Sequence, residues 1–140
     1  MGRNAPGLTD RDYRRLAEFR FLLRRFLAFS EAAATAAGLT PRQHQALLAI
    51  KGMPEGVAPT IGHLAERLAI RPHSAVELAD RLEQAGLVRR THDPADRRRV
   101  VLTLTPDAQA RLAALSAEHL GELRRLSPSL LAILEHADTK

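Results

Sequence analysis

The chemistry this chain offers is concentrated in arginine. Residues 87–99 hold Arg89, Arg90, Arg97, Arg98 and Arg99 against only Asp93 and Asp96. Guanidinium groups bunched on a short segment neutralise phosphates and grip them through paired hydrogen bonds. Residues 60–86 read differently, with Arg67, Arg71 and Arg81 against Glu66, Glu77, Asp80 and Glu83. Phosphate attraction therefore rests on the 87–99 segment together with Arg71 and Arg81, while the slightly acidic stretch before it is suited to reading rather than gripping. The net charge of +5 points the same way, towards a polyanionic partner.

Other chemistries find little support. The six histidines, His44, His63, His73, His92, His119 and His136, are scattered, with no H-x-x-x-H spacing to put two ligands on one helical face. No metal is expected, and a site assembled in three dimensions, which would make the protein metal-responsive, stays open at this point. Cysteine is absent, which excludes disulfides, thiolate metal sites and a cysteine redox switch. There is no Gly-rich phosphate loop, G-x-S-x-G elbow or metalloprotease motif, so neither catalysis nor a cofactor is expected. No stretch approaches the roughly 18 apolar residues of a membrane span. The opening Met1-Gly2-Arg3-Asn4-Ala5-Pro6 has no apolar run behind it, and Pro6 stands where a myristoylation signal needs Ser or Thr. The expectation is a cytoplasmic protein without membrane contact.

The elements that must carry these arginines follow from spacing. Residues 1–9 read as a flexible tail. From Asp10 to about Ala37 there is no Pro or Gly, and Leu16, Phe19, Leu23, Phe26 and Ser30 keep helical spacing. Thr9 or Asp10 would cap this helix, and Gly38 would end it in a left-handed turn. Phe21, Leu22, Leu27 and Phe29 widen its apolar surface beyond one stripe, so it must be covered on more than one side. Thr40-Pro41 opens a second helix to about Lys51, with Ala46, Leu47 and Ile50 inward. A loop over 52–59 leads to Thr60 and a helix over about 61–69, burying Leu64, Ala65 and Leu68. Arg71-Pro72 then starts a helix ending at Gly86. Residues 87–92 and 99–104 change to strand-like alternation around Asp93-Pro94-Ala95-Asp96-Arg97-Arg98, a turn-forming segment fit for a hairpin tip. Thr105-Pro106 opens a long helix carrying Ala108, Leu112, Leu115, His119, Leu123 and Leu126 on one face, and Ser127-Pro128 opens a last short helix. The fold class is mainly α with a small β-hairpin.

Helix, paired short helices and basic hairpin in this order are those of a winged helix-turn-helix. Residues 61–70 (IGHLAERLAI), Ser74 to Glu83, Gly86-Leu87-Val88-Arg89-Arg90, the hairpin 93–98 and Leu102-Thr103-Leu104-Thr105-Pro106 together resemble the MarR (multiple antibiotic resistance regulator) family over nearly the whole chain. The resemblance implies a sequence-specific, double-stranded DNA-binding regulator, a repressor released by a small-molecule effector. It implies a homodimer paired through an N-terminal helix (10–39) and C-terminal helices (106–140), with residues 40–105 as the DNA-binding lobe. The helix at 72–85 would enter the major groove, Arg97 would reach the minor groove, and Asp96 would hold the wing arginines Arg97, Arg98 and Arg99 in place. Family wings often carry Arg where Ala95 stands, so a positive contact there is either missing or taken over by Arg99.

On the groove-entering helix, Ala75, Leu78 and Leu82 must face the core, leaving His73, Ser74, Glu77 and Arg81 outward. Arg81 suits phosphate or guanine and Glu77 a cytosine amino group; the plainer reading is an ordinary i, i+4 pair between the two. The effector implied by the resemblance is phenolic or anionic and sits between the dimerisation helices and the lobe, with Arg42 and His44 as candidate lining; His44 reads first, however, as a plain polar helix residue. A two-fold dimer imposes a pseudo-palindromic site with half-sites about one turn, roughly 10 base pairs, apart. A winged-helix module that contacts protein rather than DNA is the alternative, kept open by the acidic balance of residues 60–86.

Overall fold

The computed structural model describes residues 7–135 and contains, in chain order, α1 (Asp10–Ala36), α2 (Pro41–Lys51), α3 (Ile61–Leu68), α4 (Pro72–Gln84), β1 (Val88–His92), β2 (Val100–Leu104) and α5 (Pro106–Glu135). The expected tail lies mostly, and His136 wholly, outside the described residues. The chain divides into two units, Ala33–Ser116 and Met1–Ala32 with Ala117–Lys140.

Local capping chemistry sets the helix starts. Thr9 and Asp12 cap α1 reciprocally: the Asp12 carboxylate accepts from the Thr9 amide (2.8 Å) and hydroxyl (3.1 Å). Thr40 and Gln43 form a capping box on α2, and the Thr60 hydroxyl accepts from the His63 amide on α3. Three helices end in the same way. The Leu39 amide donates to Ala34 O and Gly38 to Thr35 O; Ile70 donates to Ala65 O and Ala69 to Glu66 O; Leu87 donates to Leu82 O and Gly86 to Glu83 O. Each pair of bonds closes a Schellman turn whose pivot residue must be left-handed. Gly38 (φ 78°) and Gly86 (φ 72°) adopt that conformation freely, whereas Ala69 (φ 52°) is held in it despite its Cβ.

The core lies in Ala33–Ser116. Leu47 of α2, Leu64 of α3, Leu82 of α4, Val88 and Leu102 of the hairpin and Leu115 of α5 bury their side chains almost completely in it. The strands pair antiparallel with Val88 opposite Leu104 and Arg90 opposite Leu102. The 52–59 loop contributes more than expected: Thr60 bridges Val101, and the Leu102 amide donates to Pro59 O at 2.9 Å. This bridge satisfies a β2 edge group that would otherwise be open and pins the wing root to the start of α3.

In the other unit, His119 packs edge-on to Phe26 and Phe29, and its Nε2 lies 2.7 Å from the Ser30 hydroxyl. Leu22 is buried, while Leu16, Phe19, Phe21, Leu23 and Leu27 of α1 and Leu120, Leu123, Leu131 and Leu134 of α5 stay exposed. The separate helix expected at Ser127-Pro128 does not exist. α5 runs through Pro128 to Glu135. Proline forfeits one intrahelical bond, but Leu123, Leu126, Leu130 and Ile133 keep one apolar stripe across it and favour a continuous helix.

Candidate nucleic-acid interface

The α3–α4 pair presents its second helix outward. Ala75, Leu78, Ala79 and Leu82 are buried, which leaves His73, Glu77 and Arg81 exposed and Ser74 half-buried on the opposite face. Val76, exposed as well, shares that face; sequence reasoning passed over it, although its spacing three residues from His73 was the available signal. Glu77 and Arg81 do not form the ion pair that the plainer reading supposed, since no such pair occurs among the described residues. Arg71 occupies the N-cap of α4 without a side-chain hydrogen bond, and Pro72 follows it. The first-turn amides of His73 and Ser74 are therefore uncapped by any side chain and point where an external acceptor is favoured by the helix dipole.

Arg90 departs from the charge pattern read along the chain. Its register opposite Leu102 turns it to the packed face of the hairpin, where its guanidinium pairs with Asp80 and lies 3.7 Å from Glu83 of α4. This clamp removes Arg90 from the cations offered to a polyanion. It also offsets one of the two negative charges of Asp80 and Glu83, so the exposed α4 face is less repulsive to phosphate than the bare count of residues 60–86 implies.

The hairpin tip is built by main-chain hydrogen bonds. The Asp93 carboxylate accepts from the Ala95 amide at 2.9 Å, and the Asp96 carboxylate accepts from the Arg98 amide at 3.0 Å. Asp96 O accepts from Arg99 N–H, and Arg99 O from Asp93 N–H. Asp96 thus shapes the arginine segment through the backbone, as two linked Asx turns, and not by gripping guanidinium groups. His92 adds a brace absent from the sequence reading. Its Nδ1 lies 2.9 Å from Arg97 O, and because a carbonyl only accepts, Nδ1 must carry the proton. Arg97 and Arg98 are exposed and in no ion pair among the described residues, whereas Arg99 lies 3.9 Å from Asp93. Arg97 and Arg98 are the free cations of the tip, and Arg99 is partly engaged.

The remaining candidates are placed as follows. Arg42 is exposed on α2, and His44, one turn into the same helix, is buried in the lobe. His63 donates from Nδ1 to Ala58 O at 2.7 Å, which ties the loop before α3. Among the described residues no group of three or more His, Cys, Asp or Glu side chains is placed to hold a metal ion, and no helix is long and apolar enough to cross a membrane.

Comparison with known proteins agrees with this geometry. Residues 37–99 match the MarR family model. The chain is 32% identical over 80 residues to the HTH-type transcriptional repressor MdtR of Bacillus subtilis (strain 168), covering 57% of this chain and 50% of MdtR. It spans about half the length of the curated relatives it matches. Among solved structures it is similar to CouR from Rhodococcus jostii RHA1 bound to p-coumaroyl-CoA, at 30% identity over 76% of each chain with a TM-score of 0.62. It is also similar to the transcriptional repressor CouR bound to a 23-mer DNA duplex, at 28% identity over 86% of this chain and 89% of that one, TM-score 0.62. Winged lobe, free wing arginines and matched family model together place the chain in the MarR family.

Proposed function

We propose that the protein is a sequence-specific double-stranded DNA-binding transcriptional regulator, a repressor released by a small phenolic or anionic effector. The observation that carries this reading is the pairing of an exposed α4 face with two unpaired arginines on a backbone-stiffened hairpin tip. α4 enters the major groove, where His73, Ser74, Val76 and Glu77 meet base edges and Arg71 and Arg81 meet phosphate or guanine. Arg97 and Arg98 reach the minor groove or its phosphates, with Arg99 in reserve. The DNA-bound CouR structure and the repressor MdtR support the assignment by likeness. The CouR complex with p-coumaroyl-CoA supports an effector-released mode of action.

Two copies act together. The apolar side chains left exposed on α1 and α5 are too many for a solvated monomer and are covered by a second chain. The operator is then a pseudo-palindrome with half-sites roughly 10 base pairs apart.

The test is fluorescence anisotropy with DNA from upstream of the gene, against scrambled duplex, over a salt series. A preference of roughly a thousandfold with a steep salt slope is expected. Weak and equal binding to both duplexes would reject the regulator and favour a winged module that contacts protein.

A further inference from the structure

Val76 and Glu77 are neighbours on the outward surface of α4. Val76 is 42% exposed. Its branched Cβ lowers helix propensity and its exposure forgoes burial, so neither helix formation nor packing explains the choice of residue. Glu77 is exposed and enters no ion pair among the described residues, and the same holds for Arg81 one turn further on. Asp80, one turn beyond Val76, is by contrast held by Arg90. α4 thus offers an apolar group, a free acceptor and a free guanidinium within about two turns of helix.

Base edges in the major groove can be matched to these groups one at a time. A carboxylate only accepts, so Glu77 needs a donor, and the amino groups at cytosine N4 and adenine N6 are the two available. Adenine sets its acceptor N7 beside that amino group and repels a carboxylate, whereas cytosine sets only its C5 carbon there. Arg81 matches O6 and N7 of guanine. Val76 needs an apolar group, which among the four unmodified bases is the thymine C5-methyl alone. Thymine carries that methyl beside an acceptor, and cytosine carries the amino group without the methyl. The base that presents both groups side by side is 5-methylcytosine.

We propose that α4 reads the C5-methyl group of cytosine. Val76 packs on the methyl, Glu77 accepts from the N4 amino group of the same base, and Arg81 takes the guanine of the adjoining C–G step. Glu77 sharpens the choice, because a carboxylate over a base edge that lacks a donor is left unpaired. Methylation of that cytosine then raises affinity, so occupancy of the site follows the methylation state of the DNA as well as its sequence. The inference rests on the regulator reading.

The experiment selects duplexes with the full chain from two randomised pools, one made with cytosine and one with 5-methylcytosine throughout, and measures affinity for the recovered site by fluorescence anisotropy. The site should hold a C–G step, and 5-methylcytosine there should bind about three- to fivefold more tightly than cytosine, the gain for one buried methyl. Val76→Ala, a change to the best helix former, should erase that difference and leave affinity for the cytosine duplex within about twofold. Glu77→Gln should move the preference at that position from cytosine towards adenine, whose N6 and N7 a carboxamide matches. Equal affinity for the two bases, tighter binding of the unmethylated duplex, or a methyl effect that survives Val76→Ala overturns the proposal and leaves the regulator standing. Recovery of no common sequence from either pool rejects the regulator and the methyl reading together.

Discussion

Arg90 and Arg97 show how identical side chains acquire different tasks. Arg90 lies against Asp80 and Glu83, while Arg97 stands exposed with its own carbonyl held by His92. Replacing Arg97 with Ala should lower the slope of log affinity against log salt by about one, because one phosphate contact releases roughly one counterion. Replacing Arg90 with Ala should leave that slope unchanged and lower the unfolding free energy by about 0.5–1 kcal/mol, the range for partly exposed pairs. Salt titration and urea unfolding of the two variants check this double contrast. If Arg90→Ala changes the slope as much as Arg97→Ala, the clamp is not formed in solution. Asp12 is a second case at this scale. Hydrogen bonds from the Thr9 amide and hydroxyl hold its carboxyl below the ordinary value of 3.8. Because the folded value is depressed, the cap contributes stability above pH 3.8 and loses it as pH falls through the lowered value. Amide exchange in the first turn of α1 should therefore accelerate in acid, and Asp12→Asn should remove that pH dependence.

Among the elements, the turn between α3 and α4 carries a local conflict. It is a Schellman turn like those at Gly38 and Gly86, yet its left-handed pivot is Ala69. The conformation costs an L-residue roughly 1–2 kcal/mol, and glycine gives back up to about 1 kcal/mol through its freer unfolded chain. Ala69→Gly should thus stabilise the protein by about 0.5–1 kcal/mol, read as a higher urea midpoint with an unchanged m-value. A loss of stability would mean that the turn relaxes away from the left-handed region in solution. Such a turn joins the helix that presents the interface to the helix that supports it, so its geometry bears directly on where α4 points.

For the whole molecule, the apolar side chains left uncovered on α1 and α5 are the surface that the proposed dimer would cover. Phe19, Leu23, Leu123 and Leu131 are each more than two-fifths exposed in the single chain. Light scattering should give twice the 15.4 kDa chain mass. A charge placed in that surface by Leu123→Glu should shift the mass to the monomer and weaken duplex binding, since one lobe cannot span two half-sites. A wild-type mass of 15.4 kDa would reject the dimer.

Much of this architecture is written in short-range chemistry. Thr40-Pro41, Thr60 and Thr105-Pro106 announce helix starts, and Gly38 and Gly86 announce ends, because caps and turns are settled by bonds between residues three to five apart. The hairpin was legible for the same reason, from alternation around an Asp-Pro-Ala-Asp tip. Ser127-Pro128 starts no separate helix because a proline signal is local, whereas the continuous apolar stripe that overrides it is not. What folding alone decided is which charged groups remain free. The parity that places Val88, Arg90 and His92 on one hairpin face is visible in sequence, but the carboxylates waiting there belong to α4. The bridge from Thr60 to Val101 is equally invisible along the chain. Such contacts depend on how elements pack across long sequence separations, and that packing leaves Arg97 and Arg98 exposed and in no ion pair among the described residues while Arg90 is held against Asp80 and Glu83.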